Sequence, residues 1–120
     1  MFDHVTIRVS DRAASERFYT LVVGTLGVEP TYDGEHLVEW EKDFSIAGAD
    51  ADHPVTRGLR IAWFTPTRED VHAFWQAGID AGHGDDGAPG ERAAYHPGYY
   101  GAYVLDPDGN NVEAVCHKPA

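Results

Sequence analysis

Glu113 is the residue whose chemistry most needs explaining. It lies in Val112-Glu-Ala-Val-Cys116, a short apolar and β-branched run. A half-buried strand rarely carries a carboxylate without a partner for its charge. Upstream, Tyr95-His-Pro-Gly-Tyr-Tyr100 forms an aromatic loop in which His96 could touch a ligand, and Tyr99, Tyr100 and Tyr103 could stack on a flat one. Parity along the strand separates Tyr100 from Tyr103 without saying which faces a ligand. Near the start, His4, Thr6 and Arg8 share one face of a predicted strand. The seven histidines invite a metal reading, but His53, His72, His83 and His117 fall in loops, on a helix surface or near the last residues.

Positioning these groups requires a specific series of elements. Phe2 to Val9 is a β-branched, partly alternating strand, and Ser10 or Asp11 then caps a helix through about Val23, with Gly24 as its stop. Gly27 to Pro30, Glu35 to Trp40 and Asp43 to Ala47 follow as extended pieces. Gly48 to Thr56 is the connection between halves. Gly58 to Phe64 resumes as a strand, and Thr67-Arg-Glu-Asp70 has capping-box spacing for a helix ending near Gly82. Asp85-Asp-Gly-Ala-Pro-Gly90 reads as a loop, with strands over Tyr95 to Leu105 and Val112 to His117. Between these strands, Asp106-Pro-Asp-Gly-Asn110 supplies the residues of a tight hairpin turn.

The two halves repeat. An offset of 56 takes His4 to Arg60, Arg12 to Arg68, Phe18 to Phe74 and Tyr19 to Trp75, and an offset of 68 takes Phe44 to Val112 and Ser45 to Glu113. The expected architecture is α+β: two tandem βαβββ modules, units of approximately 1–50 and 57–118 in one domain. They would form one cupped, mostly antiparallel sheet with helices on the outer face. A concave, partly apolar surface of that kind suits a small ligand.

Composition narrows the function classes. The chain has 120 residues, and nine Lys plus Arg against twenty Asp plus Glu leave a formal charge of −11. That charge disfavours nucleic acid as a partner, favours solubility and would attract a cationic ligand. A single cysteine, Cys116, rules out an internal disulfide and suits a small apolar filler. No apolar run reaches the length of a membrane span and no signal peptide is visible, so the expected location is cytoplasmic. Neither G-x-S-x-G nor a P-loop occurs. Gly82-His-Gly-Asp-Asp-Gly87 matches G-x-G-x-x-G but follows a predicted helix, and Asp85 and Asp86 would repel a pyrophosphate.

Over essentially its full length the chain resembles the vicinal oxygen chelate superfamily of glyoxalase I, bleomycin and fosfomycin resistance proteins and extradiol dioxygenases. The residues that carry the likeness are Asp3-His4-Val5, the paired helices ending at Gly24 and Gly82, and Tyr99-Tyr100 leading to Asp106-Pro-Asp-Gly-Asn-Asn-Val-Glu113. The resemblance implies one divalent metal (Fe, Mn, Ni, Co or Zn) in the cup, at positions that are here His4, Ser45, Arg60 and Glu113. His4 and Glu113 are good ligands. Arg60 has no lone pair to offer, and its charge would repel a divalent ion at ~5 Å by roughly 6 to 7 kcal/mol at an effective dielectric of ~20. A donor such as His36, Glu39 or His96 would have to replace it, or Arg60 and Glu113 would pair instead.

The resemblance also implies a function. One reading is a glyoxalase- or dioxygenase-like enzyme acting on a small oxygen-bearing substrate, with Glu113 as catalytic residue and metal ligand beside His4. Arg60, His96, Tyr100 and Tyr103 are the candidate substrate contacts. The alternative is a metal-free drug- or antibiotic-binding protein of the bleomycin-resistance type. The resemblance further implies a homodimer.

Overall fold

The computed structural model describes residues 1–119. Alternation decides the first strand, β1 (Val5–Val9): Ile7 and Val9 are buried, while Thr6 and Arg8 turn to the other face. Helix α1 (Arg12–Gly24) follows, its first turn capped by Asp11, whose carboxylate accepts from the Ala14 amide at 3.1 Å. Phe18, Tyr19, Val22 and Val23 form its buried stripe. Strands β2 (Pro30–Asp33), β3 (Leu37–Trp40) and β4 (Phe44–Gly48) complete the first module.

The second module repeats the order with β5 (Arg60–Phe64), α2 (Arg68–Asp80), β6 (Asp85–Glu91), β7 (Tyr100–Leu105) and β8 (Asn111–Cys116). Thr67 caps α2 by accepting from the Asp70 amide at 3.1 Å. The Asp70 carboxylate accepts from the Thr65 hydroxyl at 2.7 Å and so fastens the cap to the strand before it.

Each module builds a four-stranded mixed sheet, ordered β1-β4-β3-β2 and β5-β8-β7-β6. In each, the first strand pairs in parallel with the last and the other pairings are antiparallel. Thr6 lies opposite Ser45 and Ala62 opposite Glu113. The offsets of 56 and 68 read from the sequence therefore superpose the two registers. Buried residues of both modules form one core, against which Trp63 of the second packs, meeting Tyr19 and Phe44 of the first.

Three segments differ from the sequence reading. Asp85 to Gly90, expected as a loop, belongs to strand β6. It pairs with β7 through register shifts at Gly87 and Gly90, and such irregular edge pairing accommodates Pro89 without an amide to donate. The strand expected from Tyr95 begins only at Tyr100. Residues 92–99 fold back on themselves, with the Arg92 amide donating to the Tyr99 carbonyl at 2.8 Å and the Tyr99 amide to that of His96 at 3.2 Å. The extended piece expected at Gly27 to Pro30 begins at Pro30.

The turn between β7 and β8 ties the modules together. Asp106 is buried and accepts from the Tyr19 hydroxyl at 2.6 Å, the Asp108 and Asn110 amides at 2.9 Å and the Asn110 side chain at 3.2 Å. Asn110 reaches back to the connection between modules, donating to the Thr56 carbonyl at 2.9 Å and accepting from the Leu59 amide at 3.0 Å. Asp108 accepts from the backbone and hydroxyl of Ser10, just after β1. Gly109, at φ 85°, closes the turn where an L side chain would be strained.

Candidate functional site

Val104 packs against α2, where a β-carbon on Gly78 would stand 2.9 Å from it. By strand parity its neighbour Tyr103 faces the other way, and with it stand Glu113 on β8 and Arg60, Ala62 and Phe64 on β5. Glu113 has Tyr103 on one side and the small Ala62 on the other. It is 5% exposed. The folded-back segment 92–99 accounts for part of that burial, because the Tyr99 hydroxyl donates directly to the Glu113 carboxylate. Gly101 leaves the room: a β-carbon there would lie 2.9 Å from Glu113 Oε2.

Burial raises the Glu113 carboxyl above its ordinary range; the Tyr99 hydrogen bond and then the charges of Arg60 and Arg92 oppose that rise. Burial first, and the Glu113 carboxylate second, hold the Tyr99 phenol protonated. Tyr103 is raised for the same two reasons. Tyr95 goes the other way, lowered because its oxygen accepts from Arg60 Nη2 at 3.3 Å. The arrangement is a carboxyl poised nearer neutrality, with a phenol donor on it and a guanidinium and two further phenols around it. Groups so placed can hold or move a proton beside a developing negative charge.

Two more features frame the site. Arg92 lies over the Tyr103 ring at 5.2 Å from its centre and Arg60 at 6.0 Å. His96 and His117 join through Nε2 and Nδ1 at 2.9 Å, with His96 Nδ1 also 2.7 Å from the Pro97 carbonyl. A carbonyl only accepts, so His96 Nδ1 carries the hydrogen. In the neutral pair His117 Nδ1 then donates to His96 and leaves its own Nε2 free.

Of the residues singled out from sequence, Arg60, Tyr103 and Glu113 come together, with His96 in the segment folded over them. Tyr100 points to the α2 side of the sheet, where its hydroxyl meets His72 Nε2 at 2.6 Å and Arg68 covers its ring at 4.4 Å. His4 bonds Asp3 at 2.8 Å with its side chain 66% exposed. It shares a groove of about 370 Å³ with Arg60, Phe2, Val5, Leu59 and Ile61, and no hydrogen bond joins it to Glu113 among the described residues. The Ser45 hydroxyl bonds that of Thr6 at 2.7 Å. The sequence reading did not single out Tyr95 and Arg92. The four-residue spacing of Tyr95 and Tyr99 in one loop was an available signal for the first; nothing in the sequence marked the second.

A divalent ion does not fit the residues present. Among the described residues no three of His, Cys, Asp and Glu gather where one ion could reach them. The Glu113 carboxylate is engaged by Tyr99, and a guanidinium stands where the implied set needs a lone pair. No helix among the described residues is long and apolar enough to cross a membrane.

The profile of the family described as Glyoxalase/Bleomycin resistance protein/Dioxygenase superfamily matches residues 1–114. A glyoxalase/bleomycin resistance protein from Albidiferax ferrireducens T118 superposes with a TM-score of 0.82 at 31% identity, over 97% of this chain and 98% of that one. A glyoxalase/bleomycin resistance protein/dioxygenase family enzyme from Burkholderia phytofirmans PsJN gives 0.72 at 23% identity, over 95% and 96%. Lactoylglutathione lyase from Agrobacterium tumefaciens gives 0.67 at 18% identity, over 96% and 92%, a likeness of fold. No curated protein matches the chain at a significant level.

Proposed function

The chain belongs to the glyoxalase/bleomycin resistance protein/dioxygenase superfamily, and from that premise we propose that it is an enzyme moving a proton on a small oxygen-bearing substrate, with Glu113 as the catalytic base. The observation that carries this reading is the buried Glu113 carboxyl, raised by burial and bonded by Tyr99. A carboxylate whose pKa lies nearer working pH is a better base than an exposed one.

In this reading Glu113 removes a proton from a carbon beside a carbonyl. The electron pair of the broken C–H bond moves onto the carbonyl oxygen, which faces Arg60 and the hydroxyl of Tyr95. Tyr99 transfers its hydrogen bond from Glu113 to the substrate, and Glu113 returns the proton to carbon. Stabilisation of the oxygen comes from donors already in place.

The test is solvent exchange, which needs no knowledge of the natural substrate. In D₂O the protein should catalyse deuterium incorporation next to the carbonyl of pyruvate or hydroxyacetone, followed by proton NMR. Glu113→Gln should slow it by roughly 10² to 10⁴-fold. Absence of catalysed exchange in both compounds, or full activity in Glu113→Gln, overturns the assignment.

The groove lined by Phe2, Val5, Leu59, Ile61 and Arg60 favours a second reading, sequestration of an aromatic compound without turnover. Thermal stabilisation by aromatic ligands together with no exchange activity would select it. A homodimer is proposed alongside, because Phe2, ahead of β1, and Phe64, on β5, are 77% and 63% exposed and line one groove. A monomer mass by light scattering at micromolar concentration would remove it.

A further inference from the structure

The chain's charge of −11 suggests cations as ligands, yet the groups nearest Glu113 carry the opposite sign. Arg60 and Arg92 both lie over Tyr103 and both act on Glu113. Neither has a carboxylate within ion-pair distance among the described residues. Nearby acidic side chains are engaged elsewhere: Glu91 by Arg68 at 3.0 Å, Asp85 by the Trp75 indole at 3.0 Å and Asp86 by Asn111 at 2.7 Å. Charge far from the site is screened within about 8 Å at physiological salt, so contact donors decide what binds.

Both guanidiniums are also held in place. Arg92 donates to the Ala88 carbonyl at 2.8 Å and the Glu91 carbonyl at 3.4 Å; Arg60 donates to Tyr95 at 3.3 Å. A guanidinium has five donors, so each keeps free N–H groups after these bonds. Fixed cationic forks beside an aromatic face are built for a planar carboxylate.

We infer that this site takes an organic anion, a planar carboxylate whose charged end meets Arg60 and Arg92 and whose flat body lies against Tyr95, which is 53% exposed beside Arg60. The inference rests on the proposed site and names its substrate class. It has a linkage consequence. A bound anion disfavours the Glu113 carboxylate, so binding takes up a proton and weakens as pH rises through the Glu113 pKa; the phenols of Tyr95, Tyr99 and Tyr103, the guanidiniums of Arg60 and Arg92 and the imidazoles of His96 and His117 are the other ionisable groups on that side.

Benzoate, benzamide and benzylammonium share a ring and differ in charge, and titration of each against the Tyr103 and Tyr95 ring signals by NMR reads the preference. Benzoate should bind roughly tenfold or more tighter than benzamide, and benzylammonium most weakly. Arg60→Gln and Arg92→Gln should each weaken benzoate by about tenfold and leave benzamide unchanged. Because Arg60 is exposed and Arg92 only half-buried, both variants should fold, with unchanged core signals as the check. Arg92→Lys, which keeps the charge and loses the fork, should fall between wild type and Arg92→Gln. Benzylammonium binding as well as benzoate, benzoate indifferent to both arginines, or no benzoate effect on Tyr95 would overturn the inference. Glu113→Gln should keep benzoate binding without proton uptake. If it binds benzoate while wild type fails to exchange deuterium, the fault lies with the proposed reaction and not with the anion site.

Discussion

The Tyr99 phenol donates its hydrogen to the buried carboxylate of Glu113, fourteen residues further along the chain. One proton thus joins the segment folded over the sheet to the strand beneath it. Removing the donor should expose the full effect of burial on the acid. In Tyr99→Phe the Glu113 pKa should rise further, because the lost hydrogen bond is the largest influence holding it down. A ¹³C titration of the carboxyl would show it, and a pKa equal to or below wild type would refute the arrangement.

Stability should carry the mark of the same group. A carboxyl raised above its ordinary value of 4.5 binds its proton more readily when folded. Its contribution is present below that value and is lost as pH climbs through the raised one. Relative to Glu113→Gln, the wild-type denaturant midpoint should fall as pH rises from 4.5 through the raised Glu113 pKa and then level off. A difference that stays constant over this window would mean that Glu113 titrates normally.

Gly101→Ala tests how closely the site is fitted. The new β-carbon would come within 2.9 Å of Glu113 Oε2, and a side-chain end yields more readily than backbone. The fold should survive at a cost of about 1–2 kcal/mol, while the Tyr99 hydrogen bond breaks. Loss of proton exchange with a melting temperature lower by roughly 3–10 °C is expected. Retention of full exchange would show that Glu113 need not be held there.

A stabilising change is available far from the site. Glu41 and Lys42, between β3 and β4, have φ of 53° and 68°, a region costly for side-chain-bearing residues. Lys42→Gly should stabilise the protein by about 0.5–1 kcal/mol despite the entropy glycine adds to the unfolded chain. Urea unfolding with an unchanged slope would measure it, and a lower midpoint would count against strain at this turn.

The module order was legible because each element carried its own local signal: the caps Asp11 and Thr67, the stripe from Phe18 to Val23, and the alternation in β1. The edge strand β6 was not, since its glycines and Pro89 carry the composition of a loop and only pairing with β7 makes it a strand. At the site, parity separated Tyr100 from Tyr103, but only packing of α2 on Val104 fixed which of them stands beside Glu113. The hydrogen bonds of Tyr99 and Tyr95 depend on how residues 92–99 fold back, which no period in the sequence encodes.

The joint between Tyr19 and Asp106 has a consequence for synthesis on the ribosome. Asp106 is translated 87 residues after Tyr19, and Asp108 and Asn110 later still. The first module emerges with its sheet complete but its buried phenol without an acceptor. A nascent chain paused before Asp106 should therefore expose that helix to chaperones and proteases, and protection should arrive in one step once the turn has left the tunnel.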